Sequence, residues 1–167
     1  LILARAFFGW DVPADFGQAV WEKVHEAGHR FGITPYGTEA MHVLRAEKGY
    51  IIVGQETDGT VTPNDLGLAG LVGKTKPDFV GKRSLSRPDI VAKGRTQLVG
   101  FLTENPKTVL VEGAQIVLDP KQSKPMRMIG HVTSSYWSEA LGRSIAMAVV
   151  EGGLDRSGSL FGSLGRD

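Results

Sequence analysis

Arg127-Met128-Ile129-Gly130-His131-Val132-Thr133 and Ile145-Ala146-Met147-Ala148-Val149-Val150-Glu151 flank a turn-rich interval and decide the fold class of this chain. Short apolar runs of this kind, bounded by turn residues, predict β-strands. Gln97 to Thr103 and Ala114 to Leu118 read the same way, so the C-terminal part is expected to form four or five short antiparallel strands in a small barrel or sandwich. Tyr136-Trp137 falls in the predicted turn between the last two of these strands.

Upstream the period changes to that of helices. Phe16, Val20, Val24, Ala27 and Phe31 recur at helical spacing and predict a helix from about Pro13 to Ala27 or a little beyond, with that stripe buried. Pro13 suits the first turn, where a missing N–H costs nothing. A second helix is expected from Thr38 to Lys48, with Ala40, Val43 and Leu44 facing inward and Gly49 as a left-handed stop. The interval Gly32 to Gly37, with Pro35, links the two. Tyr50 to Gly81 is broken by glycines and prolines and reads as brief strands and loops over a binding surface. The polar segment Ser84 to Lys93, with Pro88 inside it, marks a domain boundary. The expected architecture is therefore α+β, with residues 1–91 forming one part and residues 92–167 a β-barrel.

Composition narrows the function. At 167 residues, 41% hydrophobic and 22% charged, the chain has the make-up of a soluble globular protein, with the cytoplasm as its expected location. The apolar run from Ile145 to Val150 is far shorter than the roughly 20 residues a membrane span needs, and no signal-peptide pattern opens the chain. With no cysteine, disulfides, thiolate catalysis and cysteine-ligated zinc are excluded. A net charge of +1 gives no basic excess for a phosphate backbone, so nucleic acid is not an expected partner. Glycine, at 22 residues, is nearly twice as frequent as the average of about 7% and predicts many tight turns.

Four groups of residues could carry chemistry. His25-Glu26-Ala27-Gly28-His29 matches the zinc-peptidase pattern HExxH, but the spacing puts both histidines opposite the apolar stripe, no third ligand is recognisable, and a solvated helix face is the competing reading. Glu47 falls on the expected inner face of the second helix, where an unpaired carboxylate is costly. It requires a cation, backbone donors, or a ligand offering two parallel donors such as a pterin or guanine edge; the spacing alone favours a buried ion pair or a helix-end glutamate bending into solvent. Tyr136-Trp137 could stack on a flat ligand or roof the barrel core. Lys74, Lys76, Lys82 and Arg83 form a basic cluster suited to a carboxylate-rich tail or to plain solvation. Neither a dinucleotide fingerprint nor a Walker sequence is present.

Read in order, these segments resemble the folate-binding aminomethyltransferase family, to which the glycine-cleavage T-protein belongs. The resemblance covers about Val12 to Gly153 and is carried by Glu26-Ala27-Gly28-His29-Arg30-Phe31-Gly32-Ile33-Thr34-Pro35-Tyr36-Gly37 and Leu44-Arg45-Ala46-Glu47-Lys48-Gly49-Tyr50, similar to an "LRxExGy" helix. Thr62-Pro63, Leu66-Gly67-Leu68, Lys76-Pro77-Asp78-Phe79-Val80-Gly81-Lys82 and Leu98-Val99-Gly100-Phe101 follow at the expected intervals. Gly130 to Ser138 and Ser144 to Ala148 complete it, resembling a "G.vTS" to "iAma" hairpin. The tyrosine-tryptophan wording is most similar to the sarcosine oxidase alpha-subunit branch.

The resemblance implies tetrahydrofolate as cofactor, with Glu47 contacting the pterin, Lys76 near the position of a folate-contacting arginine, and Trp137 walling the pocket. It implies no catalytic residue here, because the family's aspartate belongs to a half expected upstream of Leu1, and no metal site, because His25 to His29 overlaps an ordinary helix end. Flavin and NAD are expected only on other regions or subunits of a heteromeric oxidase, whose partner subunit oxidises sarcosine. An aminomethyltransferase working with a lipoylated carrier and a non-enzymatic folate-binding module are the alternatives. Leu1 to Asp11 depart from the family's strand there, and after Gly153 the last barrel strand is expected to be missing or disordered.

Overall fold

A computed structural model describes residues 11–156 and 162–164, the last three by backbone alone. The divergent residues 1–10 lie outside the described residues. By compactness the chain divides into Leu1–Thr38 and Glu39–Asp167, each described by itself.

In the first unit, Pro13 opens a short 3-10 turn (Ala14–Phe16) that runs into helix α1, Gly17–Gly28. A further 3-10 turn, His29–Phe31, ends at Gly32, whose φ of 70° is the left-handed conformation glycine adopts freely. The helix lies where the periodicity placed it, but its stripe is not buried: Phe16 is 60% exposed and Phe31 76%. One helix and two tight turns have nothing of their own to close over an apolar face.

Helix α2, Thr38–Glu47, opens the second unit from its second residue, Glu39, onward. Its end is a Schellman motif: Gly49 N–H donates to Ala46 O at 3.0 Å, Tyr50 N–H donates to Arg45 O at 2.9 Å, and Gly49 has φ 72°. The buried face is turned away from the expected one. Leu44 is 53% exposed and Ala40 is exposed, whereas Arg45 and Ala46 are buried. Residues 48–95 contain no strand, only loops and the 3-10 turns Ala69–Leu71 and Ser84–Ser86. This region is pinned by Asp65, whose carboxylate receives Thr62 N–H at 2.9 Å and the Arg95 guanidinium at 2.6 Å.

Five antiparallel strands follow: β1 (Thr96–Leu102), β2 (Gln115–Val117), β3 (Met128–Ser138), β4 (Arg143–Glu151) and β5 (Gly162–Leu164). They form one sheet in the order β1-β4-β3-β2-β5. A last strand is therefore present after Gly153, pairing with β2 through Gln115↔Leu164 to Val117↔Gly162. Its composition hides it from a propensity reading, since glycine and serine are poor strand formers and only the open edge of β2 recruits them.

The β3–β4 hairpin contains the largest surprise. β3 runs five residues past Thr133, so Tyr136 and Trp137 lie in a strand and not in a turn. Val132 faces Ala148 but Ser134 faces Met147, leaving Thr133 as an extra residue, a β-bulge. One inserted residue exchanges the two faces of a strand. Before the bulge Val132 packs with Ala114, Ile116, Ala148 and Val150 in the main core. Beyond it Tyr136 packs with Ala46, Ile145 and Met147 on the other face.

Gly130 marks a close approach of β3 to β4, because a Cβ there would strike the Val149 carbonyl oxygen and lie 2.9 Å from Val150 Cα. Gly130→Ala is therefore expected to destabilise the chain by about 2–3 kcal/mol. At Gly100 the nearest atom to a Cβ is Ala146 O at 4.0 Å, so Gly100→Ala should cost nothing measurable. Urea unfolding of both variants checks the contrast.

Candidate functional site

The last turn of α2 carries two ionisable side chains of opposite fate. Arg45 is 8% exposed and reaches into the unit between α2, the loop after it and β3. Its Nη1 lies 2.8 Å from Glu56 Oε2 and donates to Tyr50 O at 3.2 Å. Its Nη2 donates to Ser134 Oγ at 2.5 Å, with longer approaches to Gln55 Oε1 at 3.3 Å and the Tyr136 hydroxyl at 3.4 Å. Glu56 is 2% exposed; it accepts Ile52 N–H at 2.7 Å and the Ser134 hydroxyl at 2.5 Å. Burial by itself pushes the Glu56 carboxyl up, but the bonds from Ser134, Arg45 and Ile52, with the Arg45 charge, more than reverse this and hold it below its ordinary range.

Glu47, two residues further on, takes no part in that pair. It is half-buried, and its Oε1 accepts the Ser138 hydroxyl at 2.6 Å. Among the described residues no hydrogen bond reaches Oε2 and no cation pairs with Glu47. The buried ion pair that competes with a ligand for this helix end is thus realised at Arg45 and Glu56. Glu47 borders an open hollow of about 480 Å³ whose walls include Leu98, Phe101, Leu141, Ile145 and Met147. A carboxylate at a helix C-terminus faces the negative end of the macrodipole, so what it can hold favourably is a donor. Apolar walls and one open carboxylate oxygen suit a flat heterocycle presenting an N–H edge.

The other expected site residues stand apart from Glu47. Lys76 is exposed and lines a separate hollow with Leu71, Val72, Phe79 and Leu85. Lys82 of the same basic cluster spends its ammonium on the carbonyls of Lys76 and Pro77, at 2.8 and 2.7 Å. Trp137, 37% exposed, pairs with Ser144, and strand alternation points it to the face of β3 opposite Ser138. His25 stacks on Trp21 with centroids 5.0 Å apart and meets His29 edge to face at 4.6 Å. Among the described residues no three His, Cys, Asp or Glu gather as a metal site, and no helix is long and apolar enough to cross a membrane.

Sequence reasoning missed Arg45, Glu56, Ser134 and Ser138. Glu56 lies in a stretch without periodicity, so nothing marks it as buried. Ser134 and Ser138 signal themselves only once the bulge at Thr133 is known, because it aligns them with α2.

Two helices followed by an antiparallel sheet, with a helix-borne carboxylate at the rim of an apolar hollow, define a two-part α+β protein. Residues 8–76 match the GCVT N-terminal domain, and residues 96–162 match the glycine cleavage T-protein C-terminal barrel domain. The chain belongs to the glycine cleavage T-protein family. It is 52% identical over 154 residues to the sarcosine oxidase subunit alpha of Corynebacterium sp. (strain P-1), covering 90% of this chain and 16% of that protein. The subunit alpha of Rhizobium meliloti (strain 1021) is 40% identical over 88% of this chain and 15% of its own length. An aminomethyltransferase of Clostridium botulinum (strain Okra / Type B1) is 34% identical over 89% of this chain and 38% of its own length. The chain thus spans about a sixth of the alpha subunits it matches.

Removing one member of a buried ion pair leaves the other uncompensated, so Arg45→Met is expected to cost about 3–5 kcal/mol in urea unfolding at neutral pH. The Glu56 carboxyl is lowered in the folded chain, so the unfolded chain binds the proton first on acidification. The stability it contributes is complete above the ordinary carboxyl range and is lost as the pH falls through Glu56's own lower value. Urea midpoints measured from pH 7 downward should decline in that window, and the double variant Arg45→Met, Glu56→Gln should decline less steeply.

Proposed function

We propose that this chain is the tetrahydrofolate-binding region of a sarcosine oxidase alpha subunit, which captures the one-carbon unit released by sarcosine oxidation and forms methylene-tetrahydrofolate. The observation that carries the reading is Glu47, half-buried at the rim of an apolar hollow with one carboxylate oxygen held and the other open. A pterin supplies the flat face and an N–H donor edge that such a rim accommodates. The 52% identity to a sarcosine oxidase subunit alpha supports the oxidase setting over that of an aminomethyltransferase, at 34%.

When bound, tetrahydrofolate supplies the nitrogen nucleophiles that take up a one-carbon unit. This chain's residues bind and orient. Glu47 fixes the edge of the heterocycle, the walls formed by Leu98, Phe101 and Ile145 exclude water from its faces, and the Arg45–Glu56 pair keeps the helix end that bears Glu47 in place. Contact of Lys76 with a glutamyl tail, or of Trp137 with a pocket wall, would require the ligand to extend past this hollow, and neither carries the proposal. Flavin oxidation of sarcosine belongs to other subunits, and the chain by itself is expected to be catalytically inert.

Calorimetric titration with folinate, a stable reduced folate, tests the anchor. A charge-assisted hydrogen bond contributes about 1.5–3 kcal/mol, so Glu47→Gln should weaken binding by roughly 10- to 100-fold. Equal affinity in wild type and variant sinks the assignment.

A further inference from the structure

We infer that Ser138 is the positioning residue of the folate site, acting through Glu47; this rests on the pterin-anchor reading above and extends it to the residue that aims the carboxylate. Ser138 is fully buried, and its hydroxyl has one proton to give. Leu141 N–H donates to Ser138 Oγ at 3.1 Å and occupies one of its lone pairs. Glu47 Oε1 lies 2.6 Å away and accepts the proton. The direction of that proton is therefore set by the turn leaving β3, and with it the carboxylate that receives it.

The supports of Ser138 are rigid. It pairs with Arg143 across the hairpin, and Arg143 Nη2 donates to Thr103 O at 2.7 Å, joining the hairpin to the end of β1. The bulge at Thr133 places Ser138 on the α2 side of the sheet, in line with Ser134, which receives Arg45. Two residues of α2 are thus held by two serines of β3: Arg45 by Ser134, which anchors the helix, and Glu47 by Ser138, which orients a side chain. A glutamate has three rotatable bonds, and one fixed by its neighbour meets a ligand without losing that freedom on binding. Oε1 is occupied by the serine, so Oε2 is the oxygen directed to the incoming donor.

A double-mutant cycle in folinate affinity tests this, using the full chain with Ser138→Ala, Glu47→Ala and the pair. Ser138→Ala is expected to weaken folinate about tenfold in the wild-type background and less than twofold in the Glu47→Ala background. Equal losses in both backgrounds would mean that Ser138 serves only the turn, and would overturn the inference. So would an unchanged affinity of Ser138→Ala while Glu47→Ala binds weakly, an outcome that leaves the anchor reading intact. Unchanged binding by Glu47→Ala, or no binding by the wild-type chain, overturns the anchor and the positioning role together. Should Ser138→Ala not fold, as judged by its thermal melt, Ser138→Cys replaces it with the same readout, a thiol being a weak donor of similar size.

Discussion

The salt bridge between Arg45 and Glu56 is the constraint on which the rest of the second unit depends. A guanidinium and a carboxylate both withdrawn from water are tolerable only when nearly every donor and acceptor finds a partner. Here the partners come from three places: Tyr50 O and Ile52 N from the loop after α2, Gln55 from the next turn, and Ser134 from β3. Satisfying the pair fixes where α2 ends, how the loop from Tyr50 to Glu56 folds back, and against which stretch of sheet both lie. Such a pair contributes little net stability compared with an apolar substitute, and its effect is on which arrangement is adopted. A carboxylate that must be aimed at a ligand benefits from a helix end with a single arrangement.

The sheet supplies the other half of that arrangement through one extra residue. A strand with unbroken alternation would keep Val132, Ser134, Tyr136 and Ser138 on one face, with the polar groups inside the main core. The bulge at Thr133 moves the last three to the face of α2, and Thr133 Oγ1 donates to Met147 O at 3.1 Å within the irregularity. One strand thereby closes the apolar core with Val132 and builds the polar seam with Ser134 and Ser138. The core and the site are consequences of the same register shift.

Much of this was legible before any coordinates. The helices, their glycine stops and the succession of strands follow from periodicity and turn residues, whereas the apolar face that singles out Glu47 is one on which Ala40 and Leu44 are exposed. The face of α2 escapes a periodicity reading, which assumes that an apolar residue marks the inner face. In α2 the innermost side chain is Arg45, so the inferred face was turned away from the real one. In β3 the alternation changes phase at Thr133, where an apolar run ends but the strand continues through a bulge. Glu56 was invisible because its burial comes from Arg45 and Ser134, distant in sequence, and not from its neighbours.

The two glutamates show how position decides what a carboxylate can do. Glu56 is surrounded by donors that leave neither oxygen to a ligand: Arg45 and Ile52 reach Oε2, and Ser134 reaches Oε1. Glu47 sits at the carbonyl end of α2, where the helix itself repels negative charge and offers no donor. Its one partner among the described residues, Ser138, comes from the sheet and holds Oε1. The other oxygen is left at a rim where water or a ligand must supply the donor, beside side chains that favour a flat apolar face over water. On the folate-binding reading proposed above, a helix end that opposes its own carboxylate, and a protein that relieves only one oxygen, favour a ligand bringing N–H groups. The strength of that selection depends on the cationic partner that α2 withholds from Glu47 by committing Arg45 to Glu56.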